Sequence, residues 1–403
     1  MPNLTFLTSL SAIVSSDAAP LIAQPPSSAM TAFGALRHAV ETPEAHLSFT
    51  YNINTALVTT STANGGTVTQ AASMAVVQTS TAVNGAAQLQ STHSIRYIAG
   101  QGMLARFTAL FTSGKADSQQ EIGLGDAVDG FFFGYVGASF GIIHRNAGVD
   151  ALIAQAAWNG DTLLGGGASG VTLDPTKGNV YTVQLQWLGF GAIRFWVEDP
   201  NTGKPVLVHT IQRSNAFTAV SLSNPTLPLR AKVINSGNGT NLTLRTPSMG
   251  AYREGHESSL GLRGATYNRK TSISTETCLF AIRNNVTAFS GQVNKVQVRL
   301  GFLSISSTVD TVFRVVRNPT QGGSPSFADF DSNTSVIAID TAGTTRTGGR
   351  VEHAFVVDAN AGQVVKLDDL KVYAYPGDII AITAASVVGS AAAQAALNWS
   401  EEF

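Results

Sequence analysis

The chain has 403 residues, of which 13% are charged against roughly 25% in an ordinary soluble domain, and its 25 basic and 26 acidic side chains leave a net charge of −1. That length supports about two or three cores. The balanced charge excludes the basic field that holds nucleic acid or an anionic membrane, and no stretch reaches the ~18 uncharged apolar residues of a membrane span. A surface so poor in charge is weakly protected against self-association, which suits a protein covered by copies of itself or by partners. The single cysteine, Cys278, excludes an intrachain disulfide and fits folding in a reducing cytosol.

Residues 1–30 are low in charge and contain Pro20, Pro25 and Pro26, so they read as an extended N-terminal arm. Their start has the outline of a secretory signal but lacks its positive charge, and Thr and Ser dilute its apolar part. Helical periodicity is scarce. Its two candidates are 30–39 (MTAFGALRHA) and 148–157 (GVDALIAQAA). Between and beyond them the pattern is that of strands. FFFGYVG and SFGIIHR fill 131–145. In YTVQLQW, Val183, Leu185 and Trp187 alternate with Gln184 and Gln186, which is the period-two signature of a strand. AIRFWVE and KPVLVHTIQ follow, separated by Gly189-Phe190-Gly191 and Asp199-Pro-Asn-Thr-Gly203, giving a three-strand meander. The charged, glycine-broken stretch 253–264 reads as a domain boundary. Beyond it strands restart at 293–306, 311–317, 351–358, 370–375 and 379–383. The expected fold is therefore all-β: an arm at 1–30, a β-sandwich domain at 31–255 and a second at 265–403.

Several residues invite a chemical reading. Gly137-Ala-Ser139-Phe-Gly141 matches a nucleophile elbow, but that motif needs a helix after the serine, and β-forming Ile142-Ile143-His144-Arg145 follows here. Ser139 thus reads as a strand or hairpin position. Asp126 and Asp129, in Gly-Asp-Ala-Val-Asp-Gly, have the oxygen chemistry of a calcium site or of loop caps that accept backbone N–H groups; the acid spacing of an EF-hand is missing. No second acid cluster accompanies them as a glycosidase pair requires. His38, His46, His93, His144, His209, His256 and His353 are scattered without zinc spacing. Cys278 reads as a small buried side chain. Of Trp158, Trp187, Trp196 and Trp399, Trp187 shares an apolar strand face and reads as core. Trp158 precedes the turn Asn159-Gly160-Asp161 and is the candidate for stacking on a sugar.

A set of motifs recurs together: Arg96-Tyr-x-x-Gly-Gln-Gly-x-x-Ala-Arg-Phe-Thr-Ala (96–109), Gly-Phe-Phe-Phe-Gly-Tyr (130–135), Phe-Gly-Ile (140–142), Trp158-Asn-Gly-Asp, Leu-Asp-Pro-Thr-Lys-Gly-Asn (173–179), Gln186-Trp-Leu-Gly-Phe-Gly, Tyr375-Pro-Gly-Asp378-Ile-Ile and Asn398-Trp-Ser-Glu-Glu-Phe403. As a set they resemble virion structural proteins of tailed phages and large double-stranded DNA viruses, over about half of the chain. The resemblance implies a non-enzymatic, concanavalin-like or jelly-roll-like component of a virus particle, made in the host cytoplasm. Its place, whether tail fibre, baseplate or capsid surface, stays open. Its implied partners are copies of itself, a trimer being a common arrangement in fibres, other virion proteins and a host surface glycan. It supplies no catalytic residue and no cofactor. A glycan-binding adhesin and a polysaccharide-cleaving enzyme are the alternatives.

Overall fold

Alternating apolar and polar residues, interrupted by glycine and by Asn or Asp turns, leave little for this sequence to do but pair strands. The computed structural model describes residues 40–255 and 262–403. The expected arm at 1–30 and the helical candidate at 30–39 lie outside the described residues, as does 256–261 within the expected boundary. Among the described residues the fold is all-β: antiparallel strands and two single 3-10 turns, Gln155–Ala157 and Phe289–Gly291.

Two sheets face each other over a first core. One is six-stranded, in the order Glu41–Ser48, Ser248–Glu254, Gly102–Ala109, Asn179–Leu185, Ile193–Glu198, Pro205–Ile211. The other is seven-stranded, in the order Val149–Ala154, Ser139–Asn146, Gly130–Val136, Ser118–Gly125, Leu227–Asn235, Gly85–Ile95, Val58–Ala63. The expected meander is present: Val183 sits opposite Phe195, and Phe195 opposite His209. Tyr181, Val183 and Leu185 point inward, and Gln184 points out. Phe131 and Phe133 reach the same core from the facing sheet. Phe133 is its hub, with its ring 4.7 Å from Tyr181, 5.8 Å from Phe195 and 6.1 Å from Trp158, the latter two edge-to-face. Such contacts add about 0.5–1.5 kcal/mol each beyond area burial.

The second core lies between a five-stranded path, Leu262–Ile273, Ala391–Glu402, Gln297–Ser307 and Ala361–Lys366 with the short Tyr373–Ala374 beside it, and a six-stranded sheet of Ala328–Asp329, Ile337–Asp340, Thr277–Asn284, Ile379–Ser386, Thr311–Arg317 and Arg350–Val357. Leu300, Phe313, Ile382 and Trp399 fill it. Residues of the first core end at Ala251 and those of the second begin at Ile273.

The helical candidate at 148–157 is corrected. Val149–Ala154 is a strand paired with Ser139–Asn146, Val149 lying opposite Asn146. Ala147 and Gly148 take positive φ, +51° and +80°, and make the two-residue turn that returns the chain as a hairpin. Asp150 then meets Arg145 across the hairpin at 2.6 Å, an ion pair that a helix would break.

Cys278 is fully buried, its Sγ donating to the Phe280 carbonyl at 3.5 Å. Burial pushes the thiol up to about 11. Because the thiolate is the nucleophile, the native protein is expected to resist alkylation by iodoacetamide at pH 8, with one equivalent taken up only in denaturant; mass spectrometry of the native and denatured reactions checks this.

Candidate functional site

The residues singled out by sequence serve structure first. Ser139 opens its strand directly after the turn Gly137-Ala138, opposite Val136, with no helix behind it. Asp129 is fully buried, and its carboxylate accepts the N–H groups of Ser223 (3.0 Å), Asn224 (2.9 Å) and Ala147 (3.3 Å), as well as the Ser223 hydroxyl. Asp126 Oδ1 accepts N–H from Val128 and Asp129 at 2.7 and 2.9 Å, and its Oδ2 meets Lys295 at 2.7 Å. Both carboxylates thus cap their loops by accepting backbone N–H groups, as the loop reading of this pair expects. The expected exposure of Trp158 is corrected as well. Only 4% of it is exposed, its indole N–H donates to the Ile153 carbonyl at 3.2 Å, and its ring stands against Phe133 and Phe140. The turn after it is real, but Gly160 and Asp161 pair with Val208 and Leu207 and draw the tryptophan inward. Trp399 is core, whereas Trp196 lies on the outward face of the first six-stranded sheet, half-buried beside Thr182.

Three of the motif residues, Arg96, Tyr375 and Glu402, lie at a seam between the two sandwiches. Arg96 reaches Glu402 at 2.7 Å, and Asp126 reaches Lys295. The His93 ring stands edge-on to Tyr375, with centroids 5.0 Å apart. Next to this contact a cleft of about 1080 Å³ opens between residues 44–59 and 91–93 of the first sandwich and residues 317–318, 349–353 and 370–378 of the second. Its carboxylates are matched by arginines: Glu44 by Arg253, Asp378 by Arg317, and Glu352 by Arg317 and Arg350, both at 2.6 Å. Burial pushes the Tyr375 hydroxyl up to about 12. At Asp126 burial alone would raise the carboxyl, but Lys295 and the two N–H donors outweigh it and hold it below the usual carboxylate range.

A second hollow, of about 430 Å³, lies where the central strands of the first six-stranded sheet end on the outward face. Gln101 and Gly102 enter from the loop that starts at Arg96. Gln186, Trp187, Phe190 and Gly191 come from the turn after Asn179–Leu185, Ser214 from the far side, and Glu254 from the end of Ser248–Glu254. Two glycines shape it. A Cβ on Gly102 would lie 2.0 Å from Glu254 Oε2, and one on Gly191 would lie 1.3 Å from the Gln186 carbonyl. Glu254 accepts from the Gln184 amide. The Tyr97 ring is edge-on to Trp187 at 5.0 Å, and its hydroxyl accepts the Leu188 N–H at 3.1 Å. Sequence reading set Gly-Gln-Gly (100–102) and Trp-Leu-Gly-Phe-Gly (187–191) apart as motifs. Nothing in the linear pattern showed that they face each other.

No family model and no curated protein matches the sequence. Among solved structures the chain is similar to the CBM2 module of Lactobacillus casei BL23 phage J-1 evolved Dit (11% identity, 55% of this chain and 100% of that one, TM-score 0.38). It is also similar to a glycosyl hydrolase family protein from Mycobacterium fortuitum (13%, 52% and 99%, 0.36) and to the Emp46p carbohydrate recognition domain in its potassium-bound form (9%, 54% and 97%, 0.33).

Two outcomes test these placements. Trp158→Ala is expected to lose about 3–5 kcal/mol of stability in urea titration, the cost of a large cavity in an aromatic core. Because the Asp126 carboxyl is depressed in the folded state, its contribution is fully present above the unfolded value of about 3.9 and is lost as pH falls through the lower folded value. Lys295→Ala is therefore expected to cost about 1–2 kcal/mol at neutral pH, with the gap to wild type closing as denaturation is repeated at pH values falling below the ordinary carboxylate range.

Proposed function

We propose that this chain is a non-enzymatic structural protein of a virus particle, a homo-oligomer held on the virion surface or tail and used in host attachment. One observation carries the reading. Residues of the recurring motifs are spent on architecture: Arg96 and Glu402 tie the sandwiches together and Asp378 neutralises Arg317, while the neighbouring 126–129 loop is pinned by its own backbone and by Lys295. Such commitments stiffen a part that bears load and leave none of these groups poised to move a proton or attack a bond. Low charge and open strand edges support self-assembly. Arg350–Val357 and Ala361–Lys366 are outermost in their sheets and expose Val356 (64%) and Val364 (65%).

A second reading, a glycan-binding adhesin, is favoured by the hollow at the strand ends, and both roles are compatible in one particle. The structural reading predicts that the protein is recovered in purified particles and that antibodies raised against it decorate them in electron micrographs. It also predicts that the free protein runs in mass photometry above the 42.0 kDa of one chain. Particles that lack the protein overturn the reading.

A further inference from the structure

We infer that the hollow formed by Gln101, Gln186, Trp187, Phe190, Ser214 and Glu254 is a binding site for a neutral saccharide of one or two rings. The inference deepens the attachment role proposed above and rests on it. Its volume of about 430 Å³ falls in the roughly 300–1,000 Å³ range of small-ligand sites. The wall has the mixed chemistry that a sugar requires. Amides both donate and accept, a hydroxyl and a carboxylate accept from sugar hydroxyls, and the Trp187 and Phe190 rings offer apolar surface to ring C–H groups. The Trp187 indole N–H is buried and has no hydrogen-bond partner among the described residues, so the residue that lines the hollow carries an unused donor.

The polarity of the wall sets the ligand class. Glu254 is the charged residue that lines the hollow, so a saccharide bearing carboxylate or sulfate would meet repulsion there. Arg194 stands across the sheet from Gln184, outside the wall, and could favour an anion only by displacing the ligand out of the hollow. The site is also preformed. Gln184 orients Glu254, Tyr97 holds the 187–191 turn, and the Ser214 hydroxyl donates to the Phe190 carbonyl at 3.0 Å. A preformed wall lowers the ordering cost of binding. Sequence alone pointed to Trp158 for this role, and the fold gives the corresponding place to Trp187 and its turn.

The test is a glycan array probed with the full chain, carrying neutral hexose and N-acetylhexosamine oligosaccharides, sialylated and uronate-bearing ones, and amine-bearing ones. Hits are followed by titration of wild type, Gln186→Ala and Glu254→Gln, each checked for an unchanged melting temperature. Binding to neutral glycans, weakened at least tenfold by both substitutions, is the expected result. Neutral binding that survives both substitutions overturns the site and leaves the attachment role standing. Preference for the sialylated, uronate or amine-bearing ligands overturns the ligand class. Silence across the array overturns the inference, while detection of the protein in particles would still uphold the structural role. If Glu254→Gln alone lowers the melting temperature, Gln186→Ala and Ser214→Ala, on an exposed turn and loop, decide between the same outcomes.

Discussion

Glu121 is a carboxylate with no solvent exposure in the middle of a strand, and its surroundings are arranged to compensate that charge. Arg145 meets it through two guanidinium nitrogens at 3.0 and 2.7 Å, and Arg230 approaches at 3.2 Å. Arg145 also binds Asp150 and lies over the Phe132 ring at 5.0 Å. Burial alone would lower the Arg145 pKa, but Asp150 and Glu121 raise it above its ordinary value, so the guanidinium stays charged at any pH the fold survives. A buried pair of this kind adds little net stability against an apolar replacement. Removing one partner, however, strands the other charge, at a cost of about 3–5 kcal/mol. Arg145, Glu121 and Arg230 sit on three strands of one sheet, so the cluster ties those strands to one another.

The consequences run outward from that cluster. Arg145 donates to the Asp126 carbonyl at 2.9 Å, which sets the loop between Ser118–Gly125 and Gly130–Val136. The loop presents Asp126 to Lys295 of the second sandwich and Asp129 to residues 223–224, which lead into Leu227–Asn235. A charge buried in one sheet is thus linked, through the 126–129 loop, to one of the contacts at which the two sandwiches meet. The aspartates that looked like ligands in the sequence are the links of this chain of contacts.

Period-two alternation made the strands legible wherever one face is buried, as in 181–185, because burial requires that pattern whatever the partner. It failed at 148–157, where an edge strand carries Val149 and Asp150 to solvent and shows no clean alternation. There the decisive signal was the Ala147-Gly148 turn. It failed differently at Trp158. The turn after that residue was read correctly, but its burial depends on a ladder with residues 207–208, some fifty positions away, and local sequence does not report such pairing. The hollow was illegible for the same reason: its two principal walls are both turns, and turns meet only once the sheet between them is formed.

The loop 96–102 joins these threads. Arg96 anchors it to Glu402 in the second sandwich, Tyr97 braces Trp187 and its turn, and Gln101 and Gly102 complete the wall beside Glu254. Within seven consecutive residues the chain passes from the seam to the hollow. The geometry of the hollow is therefore referred to the second sandwich through one short segment fixed at Arg96 and Tyr97. A saccharide held at the proposed site would pull on both sandwiches through this segment, because the residues that fix the seam also brace the wall of the hollow.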